Sequence, residues 1–157
     1  MGKIPPKLEK MKKLYFILFA TLLSLSAFSQ SSPKVIHLDD NSFKEKVFDF
    51  TNSKEWAYKG DKPVIVDFYA TWCGPCKRVA PVLAKLQKEY GTDIQIYKVD
   101  VDKSPQVSAA FGIKSMPTFL FIPKEGKPTM AKGALPKKTF IKAIKDIFNV
   151  NHPDATN

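Results

Sequence analysis

Cysteine and histidine are scarce in this chain of 157 residues: two cysteines, Cys73 and Cys76, and two histidines, His37 and His152. A structural zinc site needs four ligands, usually as two closely spaced pairs. One cysteine pair and two isolated histidines, the second in a polar C-terminal tail, do not supply such a set within one chain, so neither a metal nor another cofactor is expected. Internal repeats and low-complexity tracts are absent. So is an arginine cluster: the lysines are scattered without interleaved aromatics, a pattern that fits a solvated face and not a nucleic-acid partner. The apolar run from Leu14 to Leu25 is 12 residues long, well short of the roughly 20 that span a bilayer. What remains is one domain's length of chain. At 44% hydrophobic and 25% charged residues it can bury an ordinary core, and nothing in it calls for more than a monomer.

The N-terminus has a layout of its own. Residues 11–30 read MKKLYFILFATLLSLSAFSQ. The basic start at Lys12 and Lys13 leads into the short apolar run. Ala27 and Ser29 then place small residues at the −3 and −1 positions for cleavage before Gln30. This is the three-part plan of a secretory signal peptide, so residues 1–29 are expected to be removed and the chain exported, with an uncleaved anchor as the alternative. Met11 reads as a better start than Met1. Met-Gly at the start is not a myristoylation signal, because position 6 is Pro. Residues 1–29 carry five lysines and one glutamate, a net +4, so the mature chain keeps +6 of the full +10.

Along residues 30–157, Val35-Ile36-His37-Leu38 reads as a brief strand in which His37 is an ordinary packed histidine. Asp39, Asp40 and Asn41 then offer N-caps for a helix over 42–50, with Phe43, Val47 and Phe50 on one face. Residues 51–63 form a polar loop in which Trp56 and Tyr58 are packing residues. Val64 to Tyr69 is nearly continuous apolar and β-branched, as in a strand covered on both faces. A helix is expected from about Cys73 to Tyr90, kinked at Pro81 and closed by Gly91. A strand over 93–101 follows. A short helix then opens with Ser104 as cap and Pro105 as first residue and ends at Gly112. Thr118–Ile122 is a third core strand, Lys124–Lys127 a hairpin turn and Thr129–Lys132 a last strand. A closing amphipathic helix occupies 136–149, and residues 151–157 are expected to fray. The order β-α-β-α-β-α-β-β-α implies an α/β layer fold with a mixed sheet.

The cysteines admit three readings. A metal site lacks ligands. A purely structural disulfide suits an exported protein, but a bridge constrains the unfolded chain more when its loop is long, and this loop is about as short as loops get. A reactive pair fits the surroundings better. At the opening of a helix, Cys73 sits where free amides and the helix dipole stabilise a thiolate, the nucleophilic form. Helical geometry brings Cys76 back within bonding range. Pro75 stiffens the turn, and Gly74 leaves the surface beside Cys73 bare. The chemistry is then thiol–disulfide exchange through a mixed disulfide. The second step needs a proton acceptor for Cys76. Asp67, a carboxyl in a covered strand with a raised pKa, is the candidate, unless it faces water at a bulge or edge. Lys98, on the strand expected beside it, modulates that charge or is a surface lysine.

These residues resemble the thioredoxin family. The likeness is carried by Val66-Asp67-Phe68-Tyr69-Ala70-Thr71-Trp72-Cys73-Gly74-Pro75-Cys76-Lys77, then Pro81, Lys98-Val99-Asp100, Phe111-Gly112-Ile113, Met116-Pro117-Thr118 and Gly133-Ala134. It covers a core of residues 35–149 within a single domain over 30–157. The resemblance implies the thioredoxin fold, a central mixed β-sheet flanked by helices on both faces. It implies a cis peptide before Pro117, and a substrate groove formed by Trp72, Gly74, Pro75, Met116, Pro117, Gly133 and Ala134. Along that groove a partner peptide pairs with the backbone of the residue before the proline. It also implies that Asp67 takes the proton of Cys76.

The chain departs from the family pattern in three places. Tyr69 stands where Trp is common, Met116 replaces the usual Ile or Val, and most relatives lack a signal peptide. Only 40 residues separate Cys76 from Pro117, which leaves no room for the insertion common in exported relatives of cytochrome c maturation. The expected function is reduction of protein disulfides in the cell envelope, most naturally the periplasm. The partners would be disulfide-containing proteins and a membrane-embedded electron donor. An oxidase or isomerase of oxidative folding uses the same residues in reverse. A redox-independent binding module is the alternative from a different class.

Overall fold

Five short segments pair into one sheet, and the apolar runs of β2 and β4 form its middle because their residues can be covered on both faces, whereas the edge strands are largely exposed. The computed structural model describes residues 33–156; the expected signal segment and its cleavage point at Ser29/Gln30 lie outside them. The elements in chain order are β1 (Ile36–Leu38), α1 (Asp40–Lys46), β2 (Val64–Tyr69), α2 (Gly74–Tyr90), β3 (Gln95–Asp100), α3 (Pro105–Ala110), β4 (Thr118–Ile122), β5 (Thr129–Lys132) and α4 (Lys137–Phe148), followed by a 3-10 turn over Pro153–Thr156. The strand order is β1-β3-β2-β4-β5. β3 runs parallel to β1 and β2, and β4 runs antiparallel to β2 and β5, so the sheet is mixed.

Alternation along β2 and β4 divides the core into two layers. Ile65, Phe119 and Phe121 meet Val79, Leu83 and Leu86 of α2 and Phe140 and Ile144 of α4. Val64, Val66, Phe68, Leu120 and Ile122 meet Phe43 and Val47 at α1 and Val107 of α3. β2 is thus buried along Val64–Phe68 with one charged member, Asp67. Asp67 is two residues from Ile65, so it faces the α2 side. α2 runs unbroken through Pro81 and is closed by Gly91 at φ +58°, where its N–H donates to the Gln87 carbonyl at 3.1 Å. Among the described residues no helix is long and apolar enough to cross a membrane.

Several local expectations are corrected. The first helix is capped by Asp39, one of the three candidate caps, whose side chain accepts the Ser42 N–H at 2.8 Å, but it stops at Lys46, short of the expected end at residue 50; Phe50 still packs against the core, from loop backbone, and Phe48 joins it. Ser104 stands at the N-cap position of α3 with Pro105 first, as expected, but its hydroxyl makes no hydrogen bond and does not cap the helix amides. Asp40 does this across space, accepting the Val107 N–H at 2.8 Å and the Gln106 N–H at 3.4 Å. His37 is exposed. The tail is not frayed at His152: its Nε2 lies 3.1 Å from Glu89 Oε2 and its ring stands edge-on to Tyr90 at 5.3 Å. Burial of the Glu89 carboxyl opposes ionisation, but hydrogen bonds from Lys137 and His152 outweigh it and hold its pKa below the ordinary value.

Candidate active site

Chain reversal at the end of β2 brings Cys73 to the mouth of α2. Cys73 is the N-cap residue, with extended backbone, and its Sγ accepts the Cys76 N–H at 3.2 Å. One of the unsatisfied amides at the start of the helix is therefore directed at sulfur. Cys73 and Cys76 are joined as a disulfide. Both are buried, at 5% and 3% exposure, and form a small cluster with Ala70 against which Tyr69, Val101 and Met116 pack. The same helix end that orients Cys76 would stabilise a Cys73 thiolate once the bond is reduced.

Around the disulfide the sequence-expected groove residues divide by exposure. Trp72 is 67% exposed, unusual for a large aromatic, and its indole N–H donates to Asp102 Oδ2 at 2.9 Å. Asp102, in the turn after β3, is a site residue that sequence reasoning missed; its partner lies 30 positions away, and nothing in its local pattern signals the bond. Gly74 is exposed and Pro75 half-buried. The Met116–Pro117 peptide is cis; Met116 reaches the cysteine cluster and Pro117 is buried. Gly133 donates its N–H to the Pro117 carbonyl at 2.8 Å. It does so at φ +86°, a conformation that favours glycine, and this ties the end of β5 to the proline loop. Ala134 follows it on the surface.

The acid stands on β2, two residues before Tyr69, which packs against the cysteine cluster. Asp67 is 1% exposed, and neither carboxyl oxygen has a hydrogen-bond partner. Burial pushes its pKa up to about 6, and the nearby Lys98 ammonium pulls against that rise. Asp67 and Lys98 are register partners across β2 and β3. Lys98 Nζ approaches Asp67 Oδ2 to 3.8 Å, an ion contact too long for a hydrogen bond, and lies 4.0 Å above the Tyr69 ring. Neither residue faces open water at a bulge: Lys98 is 14% exposed in its side chain. A pocket of about 210 Å³ has Lys98, Tyr69, Cys76 and Lys77 in its lining. The site thus holds an acid that titrates close to neutrality, an amine beside it, and solvent space leading to the second cysteine.

Comparison with known proteins agrees with this chemistry. The family model described as Thioredoxin matches residues 34–146. The thioredoxin of Borreliella burgdorferi is 50% identical over 113 residues, spanning 72% of this chain and 97% of its own length. Thioredoxin 1 of a Nostoc species is 39% identical over 106 residues, 68% of this chain and 90% of its own. Among solved structures, chloroplastic thioredoxin z superposes with a TM-score of 0.63 at 28% identity, covering 73% of this chain and 94% of that one. A match of this extent carries a Cys-X-X-Cys pair into a known chemistry. The chain belongs to the thioredoxin family, and it is a protein-disulfide oxidoreductase whose substrates are disulfide-containing proteins.

Proposed function

We propose that this chain is exported and reduces protein disulfides in the cell envelope, the periplasm above all, through a Cys73/Cys76 cycle. The observation that carries the chemistry is the capped sulfur: Cys73 Sγ already accepts an N–H from the helix that would stabilise its thiolate. Cys73 thiolate attacks one sulfur of the substrate disulfide, forming the mixed disulfide and releasing the other sulfur as a thiolate. Cys76 gives its proton to Asp67 and attacks Cys73 Sγ. The Cys73–Cys76 bond forms and the second substrate sulfur leaves, so the substrate gains the two electrons that the dithiol loses. A pKa of about 6 at Asp67 suits a group that takes a proton near neutrality. Lys98 tunes that charge. Trp72, Gly74, Pro75, Met116, Pro117, Gly133 and Ala134 form the docking groove, where a partner segment pairs with the Met116 backbone as an added strand.

Export is supported by the basic start, short apolar run and small-residue step of residues 11–30. An oxidising envelope would require a membrane electron donor to return the pair to its dithiol form. The test is the reduction potential of the Cys73–Cys76 pair in protein starting at Gln30, equilibrated against dithiothreitol buffers. A value near −270 mV, roughly that of thioredoxin, supports reduction. One between about −180 and −120 mV would replace it with an oxidase or isomerase role. N-terminal mass mapping of protein recovered from the envelope tests export: an intact residue 1 or 11 in soluble cell extract would overturn it.

A further inference from the structure

Lys98 lines a pocket of about 210 Å³, so close packing does not fix its ammonium; named contacts must. On one side is Asp67 at 3.8 Å, on the other the face of the Tyr69 ring at 4.0 Å. The ring itself is held from outside the pocket. Its hydroxyl lies 3.3 Å from His37 Nδ1, and the two rings meet edge-on at 6.0 Å and 80°. These four residues are aligned by the sheet. His37 pairs with Lys98 across β1 and β3, and Lys98 pairs with Asp67 across β3 and β2. With strands about 4.8 Å apart, the three side chains form one row on one face. Tyr69, two residues beyond Asp67 on β2, shares that face. It leans over β3 to reach His37.

We propose that His37 is a positioning residue: by holding the Tyr69 hydroxyl it keeps the ring under Lys98 and so keeps the Lys98 ammonium from closing on Asp67. This rests on the proposed role of Asp67 as the proton acceptor for Cys76. The physical reason is a competition for one cation. A ring face and a carboxylate both attract the ammonium. A direct hydrogen bond from Lys98 would stabilise the charged carboxylate and lower its proton affinity. The His37–Tyr69 contact fixes the ring's side of that competition. Two other ionisable groups stand around it: Asp100, the β3 register partner of Tyr69, faces the same ring, and Lys77 of α2 lines the same pocket. Phe119, the β4 register partner of Asp67, brings no charge to it.

The test is a carbon-13 NMR titration of the Asp67 carboxyl in the oxidised protein, where the cysteines do not titrate. Wild type is compared with His37→Ala, Tyr69→Phe, the double variant and His37→Asn, which restores an acceptor near the Nδ1 position. His37→Ala should raise the acid ionisation constant of Asp67 about threefold, the effect of losing one solvent-shared hydrogen bond. Tyr69→Phe, which keeps the ring and deletes the hydroxyl, should do the same, the double variant should add nothing, and His37→Asn should reverse most of the change. An unchanged or higher titration midpoint in His37→Ala, or additive effects in the double variant, overturns the proposal. The readout does not depend on turnover. A shift of the midpoint with unchanged reduction of insulin disulfides would refute the catalytic role of Asp67 and leave the clamp standing.

Discussion

Asp67 is the residue at which stability and proposed function conflict, and replacing it with asparagine measures the conflict. The side chain is 1% exposed with no hydrogen bond to either oxygen, and burial moves its pKa from 3.8 to about 6. The folded protein therefore holds a proton on Asp67 where the unfolded chain has already released it. Between about pH 4 and pH 6 the unfolded state binds fewer protons, so stability falls as pH rises through that window and the whole penalty applies above it. A rise of about two pKa units corresponds to roughly 3 kcal/mol. Asp67→Asn keeps the shape and is neutral at every pH, like the protonated acid. It should be more stable than wild type by up to about 3 kcal/mol at pH 7.5, a gain that shrinks below about 1 kcal/mol by pH 4. The acids held low by hydrogen bonds, Asp39, Asp49 and Glu89, titrate in both proteins and cancel in the difference. The assay is urea unfolding of the oxidised proteins at both pH values, followed by the fluorescence of Trp56 and Trp72. A stability difference that is the same at pH 4 and pH 7.5 would refute the reasoning. A loss at pH 7.5 would show that the contact with Lys98 outweighs burial.

Three further outcomes are expected. Cys76→Ser should leave Cys73 able to attack but unable to be released, so incubation with insulin should yield a stable mixed-disulfide adduct by mass spectrometry and no turnover. Phe119→Ala removes a fully buried ring that stands edge-to-face with Phe140 at 4.9 Å; it should cost about 3–5 kcal/mol in urea unfolding. Asp40→Ala should cost about 1 kcal/mol by uncapping α3, whereas Ser104→Ala, which deletes a buried hydroxyl without a hydrogen bond, should be neutral or stabilising. A loss from Ser104→Ala with none from Asp40→Ala, measured by the same unfolding assay, would return the cap to Ser104.

By itself the sequence determined the order and type of the elements, the two-sided burial of Val64–Phe68, the opening of a helix on the cysteine pair and the presence of an acid in a covered strand. Each of these depends on windows of a few residues: apolar periodicity, a proline or glycine at a helix end, a cap one turn away. The tertiary structure decided whatever depended on a partner distant in sequence. Asp40 caps α3 from 67 positions away, displacing the nearer Ser104, because packing α1 beside α3 brings a carboxylate to free amides that a buried serine does not reach. Asp102 holds Trp72 from 30 positions away, and His152 finds Glu89 across 63, which is why a polar tail with no pattern of its own is anchored. His37 sits on a strand that reads as apolar, yet the register of β1 on β3 turns it outward onto Tyr69. Local hydrogen bonding and hydrophobic period are written in short stretches of chain; register, and the groups it aligns across strands, exist only once the sheet has formed.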